Sequence, residues 1–199
     1  MFEKETAMYN TLVNLYRKSK MTFILLSIML LYFVFLTLNG GSTDTRVLIK
    51  YGAFFPPFIV EFGQYYRFVT AIFIHIGPLH ILFNGYALYA FGPQIERLMG
   101  PKKYLFFFLL TGIGGNLATF FFNFVSVSAG ASGSLFGILG AFLYLIHRHK
   151  DIVTPEGRRS ILKLLGINLL LTFTVPSIST TAHVGGLLMG YLISYVFIR

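Results

Sequence analysis

The length of the uncharged stretches constrains this chain more than any other feature. Residues 104–147 and 164–198 contain no Lys, Arg, Asp or Glu. A helix that crosses the hydrocarbon core of a bilayer needs about 20 predominantly apolar residues. The first stretch is therefore long enough for two such helices, and the second for two short ones. Two further apolar runs, at 21–38 and around 70–91, bring the predicted number of membrane-spanning helices to six.

The composition agrees with a membrane protein. Hydrophobic residues make up 55% of the chain and charged residues only 12%, whereas soluble domains carry about 25% charged residues. The absence of cysteine excludes disulfides, a thiol nucleophile and a thiolate metal site. We therefore predict an all-α polytopic membrane protein, with a cytoplasmic N-terminal segment over residues 1–20 and one six-helix membrane domain over 21–199.

The positions of the basic residues predict the orientation. Cytoplasmic loops of membrane proteins carry an excess of Lys and Arg. If the N-terminus is cytoplasmic, the outer side carries only Arg46, Lys50 and Arg67 of the 16 basic residues. We therefore expect both termini in the cytoplasm, and we attribute the net charge of +9 to topology and not to nucleic-acid binding. The N-terminal apolar run lacks a cleavage pattern and is predicted to be a retained anchor. The absence of a targeting presequence and of a large soluble appendage favours a prokaryotic plasma membrane.

Polar side chains are costly inside a bilayer, so those within predicted spans point to function. Four of them lie near the outer ends of three spans: His80 and Asn84, Ser132, and His183. Ser132, His183 and His80 each precede by 16 residues a charged residue at the predicted cytoplasmic end of the helix. At a rise of about 1.5 Å per residue, they lie about 24 Å above that end. We therefore expect the four side chains at a common depth, just below the outer surface.

These residue types suit acyl transfer. A serine hydroxyl becomes a nucleophile when a neighbouring base accepts its proton, and histidine can do so at neutral pH. The tetrahedral intermediate then needs hydrogen-bond donors for its oxyanion. His80 and Asn84 can donate from side chains, and Ser132 from its backbone N–H. No Asp or Glu lies inside a predicted span, so we expect a dyad of Ser132 and His183, with the histidine held by packing.

Glycines are spaced to bring the two dyad helices together. Small residues that recur on one helix face let transmembrane helices approach closely. Gly186 and Gly190 share a face with His183, and the preceding uncharged stretch carries a second such face at Gly133, Gly137 and Gly140. Gly130 and Gly133 also permit a tight turn around the nucleophile.

Structural roles and other site types compete with this hypothesis. Ser132 could be a helix cap, His183 a structural histidine, and His80 with Asn84 a pair bridging helices. Ser134 is expected to be structural, His75 is left without a chemical step, and Glu96-Arg97 are expected to fix the cytoplasmic turn.

A zinc site of His75, His80 and His183 is disfavoured, because the sequence lacks His-Glu-x-x-His and any intramembrane carboxylate. A transporter is disfavoured because no repeat or intramembrane charge is visible. No metal or other cofactor is expected.

At these residues the chain resembles the rhomboid family of intramembrane serine proteases. The matches run in order over about residues 45–199. They are Tyr66-Arg67 for the family's Trp-Arg pair, His80-x-x-x-Asn84 for its oxyanion motif, Glu96-Arg97-Leu98-x-Gly100 for its turn, Gly130-Ala131-Ser132-Gly133 for its nucleophile motif, and His183-x-x-Gly186-x-x-x-Gly190 for its base-bearing helix.

The resemblance implies a six-helix rhomboid-like bundle with a long, half-embedded loop between its first two spans. It implies a water-filled cavity that opens outward, supported by Gly130, Gly133 and Gly186, with a flexible cap over about 174–181. Phe136 stands where some members have a tyrosine stacked on the catalytic histidine. Substrates would be single-span membrane proteins that enter from lipid past the fifth span and are cut near the outer end of their helix.

The alternative within the family is a non-catalytic rhomboid-like protein that binds transmembrane helices. Loss of the serine or the histidine would mark that class, and both are present here. The sequence leaves the natural substrate and the oligomeric state open.

Overall fold

The computed structural model describes residues 13–176 and 178–198. Its helices are α1 (Lys20–Leu38), α2 (Thr45–Lys50), α3 (Pro56–Phe62), α4 (Arg67–Thr70), α5 (Gly77–Met99), α6 (Pro101–Phe122), α7 (Ser132–Arg148), α8 (Pro155–Thr174) and α9 (Thr180–Phe197), with a 3₁₀ turn at Ala71–Phe73 after α4. Within the described ranges there is no strand, which confirms the all-α class. Of the predicted N-terminal segment, residues 1–12 lie outside the described part, and residues 13–18 are helical.

The outward-facing surface of the bundle is apolar. Leu31 and Leu38 on α1 are 69% and 79% exposed, and Phe122 at the end of α6 is 82% exposed. Soluble proteins rarely expose large continuous apolar surfaces. Among the described residues, α1, α6 and α9 are each long and apolar enough to cross a membrane, and α4 with its 3₁₀ turn and α5 passes the same test as a bent pair. These helices form a membrane bundle.

Two predicted spans differ from the helices observed. The second span was expected from about residue 70, but the chain bends by 92° before α5, which begins at Gly77. Pro78 explains the start of α5, because proline disfavours helix in the residue before it and fits the first turn of a new helix. The fifth helix was expected after Lys163, but α8 begins at Pro155, where the Thr154 hydroxyl caps it by accepting from the Gly157 N–H. The first turns of α8 are therefore charged.

Helix α7 is the centre of the bundle. Of its 17 residues, all of them described, 13 are buried. A helix that is buried on all sides lies inside a protein core. It packs against both α6 and α9, which also pack against each other, while α1 packs against α5. On α8, which is also described in full, Leu165 and Thr172 are the buried residues, so α8 lies at the periphery.

Glycine brings α7 and α9 into backbone contact. A Cβ placed on Gly186 would collide with the carbonyl oxygen of Gly133, and one on Gly190 with that of Gly137. A Cβ on Gly140 would likewise meet the backbone of α9. The predicted close approach of the two glycine faces is therefore confirmed.

The long connection between α1 and α5 is fixed by a buried arginine. Arg67 is 2% exposed, and its Nη1 donates to the carbonyl oxygens of Ile49, at 2.8 Å, and Ala53, at 2.7 Å. Phe54 and Ser128 exchange backbone hydrogen bonds of 2.8 and 2.9 Å. The connection is thereby tied to the segment that precedes α7.

The end of α5 is tied to the start of α1 by a buried carboxylate. Glu96 is 4% exposed and accepts from the backbone N–H groups of Met21 and Thr22, both at 2.8 Å, and from the Thr22 hydroxyl at 2.7 Å. Unpaired N–H groups at a helix N-terminus favour such a negative charge. Glu96 therefore has a structural role, but its carboxylate ties α5 to α1, whereas the sequence predicted that it would fix the turn after α5.

Candidate active site

Ser132 is the first residue of α7, and the two residues before it form a tight turn. Gly130 has φ +127°, a backbone conformation that residues other than glycine rarely adopt. A Cβ at this position would also lie 2.7 Å from the ring of His80. The Gly130 N–H donates to the carbonyl of Ala71 at 2.9 Å. Glycine is therefore required here both for the backbone conformation and for the close approach of His80.

His75 supports this turn from beneath. Its ring is fully buried, with Nδ1 3.1 Å from the carbonyl oxygen of Phe73. A carbonyl can only accept, so Nδ1 carries the proton and Nε2 is left as an acceptor. Nε2 accepts from the backbone N–H of Ala131 at 3.4 Å. The contacts of His75 thus support the loop that precedes Ser132, in keeping with a histidine to which the sequence assigned no chemical step.

His80 and Asn84 face the same turn from α5. The Ile76 N–H donates to Nδ1 of His80 at 3.3 Å, so in the neutral ring the proton is on Nε2. That nitrogen lies 2.7 Å from the point where a Cβ on Gly130 would stand, and Asn84 Nδ2 lies 3.7 Å from the same point. Asn84 is 6% exposed. Two side-chain N–H donors are therefore placed beside the residues leading into Ser132.

His183 lies in the first turn of α9 and is held from two sides. Its ring stacks on Phe136, with 4.0 Å between centroids and 19° between planes. Phe136 is one helical turn after Ser132, so the two share a face of α7. On the other side, Nδ1 of His183 lies 2.8 Å from the hydroxyl oxygen of Thr172 on α8. The ring is 8% exposed.

The residues predicted for the site lie in the early turns of α5, α7 and α9 or in the turn just before α7. They are Ser132, His183, His80, Asn84, Gly130, Gly133, Phe136 and Gly186. Ser134 differs, because it is buried and its hydroxyl donates to the carbonyl of Phe108 on α6 at 2.7 Å. Within the described ranges, no group of three or more His, Asp or Glu side chains could hold a metal ion.

Thr172 contacts His183 but was not among the residues predicted for the site. It is a threonine in the mostly exposed helix α8, and no spacing rule relates it to His183, 11 residues later. The one available signal was that Thr172 and Asn168 form a polar pair one turn apart in an apolar half-helix. Only the packing of α8 against α9 shows what the pair contacts.

Comparison with known proteins identifies the family of this chain. Residues 62–199 match the Rhomboid domain family. The chain is 37% identical over 174 residues to Rhomboid protease GluP of Bacillus subtilis, covering 87% of this chain and 34% of GluP. It is 32% identical over 138 residues to Putative rhomboid protease YdcA of the same organism, covering 69% of each.

A plant relative, RHOMBOID-like protein 1 of Arabidopsis thaliana, is 32% identical over 163 residues, which cover 81% of this chain and 41% of that protein. The chain thus spans about a third of the length of GluP and less than half of the plant protein. The family match extends over the site and most of the bundle. The chain belongs to the rhomboid family.

Proposed function

We propose that this chain is an intramembrane serine endopeptidase in which Ser132 is the nucleophile and His183 the base. The observation that carries the proposal is the packing of α7 on α9, which holds the His183 ring against Phe136, one turn from Ser132. The similarity to two bacterial proteins named as rhomboid proteases supports it.

The first half of the reaction forms an ester. Nε2 of His183 accepts the Ser132 hydroxyl proton while the serine oxygen attacks the carbonyl carbon of the scissile peptide bond. The oxyanion that forms accepts hydrogen bonds from Nε2–H of His80, the Asn84 amide and the Ser132 backbone N–H. When the intermediate collapses, the C–N bond breaks and His183 returns the proton to the leaving amine. The carbonyl carbon remains bound to Ser132.

The second half hydrolyses the ester. His183 takes a proton from a water molecule, whose oxygen attacks the same carbonyl carbon. The same three donors hold the second oxyanion. Collapse breaks the bond to Ser132, and His183 gives the proton back to the serine oxygen. The 16-residue spacing from each cytoplasmic helix end predicts that the site lies near the outer surface of the membrane. At that depth, water from outside has a short path to the site.

The substrates we propose are single-span membrane proteins cut near the outer end of their helix. The six long helices α1 and α5–α9 would be the spans, and the connection that Arg67 fixes would be half-embedded beside them. Both termini would be cytoplasmic, in a prokaryotic plasma membrane. The peripheral position of α8 favours entry of the substrate from lipid on that side, because few contacts would have to break there.

The test is cleavage of a single-span substrate in liposomes by the purified chain. The substrate carries a small-residue, helix-destabilised segment near its outer end. Wild type is compared with Ser132→Ala and His183→Ala. Ser134→Ala is the matched control, because it removes a hydroxyl two residues away that donates to the Phe108 carbonyl.

We expect cleavage by wild type and by Ser134→Ala, and none by the other two variants. Cleavage by Ser132→Ala at the wild-type rate would overturn the mechanism. A folded wild type that cleaves none of several substrates would instead favour the helix-binding function, and direct binding of the same substrates would then be measured.

A further inference from the structure

Thr172 occupies an unusual place on α8. The helix exposes most of its side chains, but Thr172 is 2% exposed. Its hydroxyl oxygen contacts Nδ1 of His183 at 2.8 Å. Thr172 is one of the two buried residues of the peripheral helix α8. It contacts Nδ1 of His183, and the proposed proton transfer uses the other ring nitrogen, Nε2.

The hydrogen-bond partners of Thr172 decide which group is the donor. A hydroxyl has one proton, and that of Thr172 is donated to the Asn168 carbonyl oxygen at 2.7 Å. The oxygen is then left to accept from His183. Nδ1 of His183 must carry a proton, and the neutral ring must keep its lone pair on Nε2.

The backbone of Thr172 is fixed as well. Its carbonyl oxygen accepts from the Thr180 hydroxyl at 3.1 Å, across the connection from α8 to α9. The end of α8 is therefore tied to the first turn of α9, three residues before His183. This contact helps to keep the Thr172 hydroxyl next to the His183 ring.

We propose that Thr172 is a positioning residue that holds His183 in the Nδ1–H tautomer, so that Nε2 is free to take the proton of Ser132. The proposal rests on the proposed protease function. It gives the dyad a third, uncharged member on α8, a role that in other serine hydrolases falls to a carboxylate. As His183 becomes an imidazolium during the reaction, its Nδ1–H bond to Thr172 becomes charge-assisted and stronger.

Phe136 and Thr172 constrain the His183 ring in different ways. Phe136 fixes the ring plane by stacking but offers Nδ1 no acceptor. Without Thr172 the ring could carry its proton on Nε2, and that tautomer cannot accept a proton from Ser132 at the same nitrogen. The loss would reduce turnover without altering substrate binding.

Three variants separate positioning from structural support. Thr172→Val keeps the shape of the side chain and removes the hydroxyl. Thr172→Ser keeps the hydroxyl and removes the methyl group. Thr174→Val is the matched control, since the exposed Thr174 hydroxyl makes the same kind of back-bond, to the Leu170 carbonyl at 2.7 Å.

Two measurements are made on each variant. The first is kcat and KM for cleavage of the single-span substrate in liposomes. The second is the ¹⁵N spectrum of histidine-labelled protein at neutral pH, in which the His183 ring is assigned by its absence from His183→Gln. The spectrum distinguishes a protonated from an unprotonated Nδ1 whether or not the protein cleaves anything.

We expect Thr172→Val to lower kcat roughly tenfold with KM unchanged, the effect of about one lost hydrogen bond. The protonated Nδ1 signal of His183 should weaken in this variant alone. Thr172→Ser and Thr174→Val should stay within about twofold of wild type in kcat.

Wild-type kcat and an unchanged His183 signal in Thr172→Val would overturn the proposal. An equal loss in Thr174→Val would also overturn it, by showing that the effect comes from α8 stability. Failure of the protease function gives a different pattern: wild type would not cleave, while the His183 signal would still show whether Thr172 sets the tautomer.

Discussion

Gly186→Ala should separate the two helices that carry Ser132 and His183. Gly186 is one turn after His183 on α9, and an added Cβ would collide with the carbonyl oxygen of Gly133, the residue after Ser132. The Cβ position is fixed by the α9 backbone and the nearest atoms it meets are all backbone atoms of Gly133, so no side-chain rotation can relieve the contact. The helix axes have to move apart at the level of the site.

The magnitude follows from two known effects. Overpacking a close-packed interior costs about 1–3 kcal/mol, and the upper half of that range applies where backbone must move. We therefore expect a loss of about 2 kcal/mol in the free energy of unfolding, a factor of about 30 in the folded-to-unfolded ratio. A displacement of about 1 Å between reacting groups can reduce the rate by about a hundredfold. Activity should thus fall far more than stability explains.

The assay compares three variants for kcat/KM in liposomes and for unfolding in a detergent titration. Gly190→Ala meets the Gly137 carbonyl one turn further from the site, so it should lose similar stability and less activity. Gly166→Ala on α8 has nothing within 4 Å of the added Cβ. It should be neutral or more stable by up to about 1 kcal/mol, because alanine favours helix over glycine.

A Gly186→Ala variant that keeps kcat/KM within about twofold of wild type and unfolds at the same detergent concentration would show that the two helices are not forced apart. A Gly166→Ala variant as damaging as Gly186→Ala would also contradict the prediction, since the effect would then come from replacing any glycine in a helix.

Three further predictions test other contacts. Asn84→Ala should lower kcat by about 10²–10³ with little change in KM, as loss of one oxyanion donor does, measured in the same cleavage assay. Glu96→Gln should lose about 1.5–3 kcal/mol of stability in the detergent titration, because a neutral amide accepts weaker hydrogen bonds from Thr22 at the start of α1 than the carboxylate does. The control is Glu61→Gln, which should have no effect because Glu61 is exposed. Arg67→Lys should lose a similar amount, since one ammonium cannot replace both Nη1, which donates to Ile49 and Ala53, and Nε, which donates to Gln64 Oε1 at 2.8 Å. Limited proteolysis should then cut the connection between α1 and α5 faster than in wild type.

Much of the fold could be predicted because apolar length is a local property. The bounds of α1 follow from its apolar run, with 21–38 predicted against Lys20–Leu38 observed. The run around 70–91 was predicted as one span, since the residues before Gly77 are apolar enough to belong to it, but the structure bends it before Gly77. The 92° bend arises from packing and from Pro78, and a hydropathy pattern contains no signal for either of them.

The site was predictable where regular spacing along a helix encodes it. Gly186 and Gly190 recur at the interval of a helical turn on the face of His183, so the sequence indicated which face would approach another helix. The choice between Ser132 and Ser134 was also available from their offset around α7. The structure supports it, because Ser134 donates to the Phe108 carbonyl on another helix.

The sequence by itself determined the all-α class and the apolar spans, and it predicted a common depth for Ser132, His183, His80 and Asn84, because bilayer thickness and helical repeat turn spacing into depth and face. The tertiary structure decided the hydrogen-bond partners: Phe73 and Ala131 for His75, Ile76 for His80, and Thr172 for His183. Tautomers depend on which acceptor lies within about 3 Å of a ring nitrogen. For His183 that acceptor comes from a different helix, and only packing brings it there.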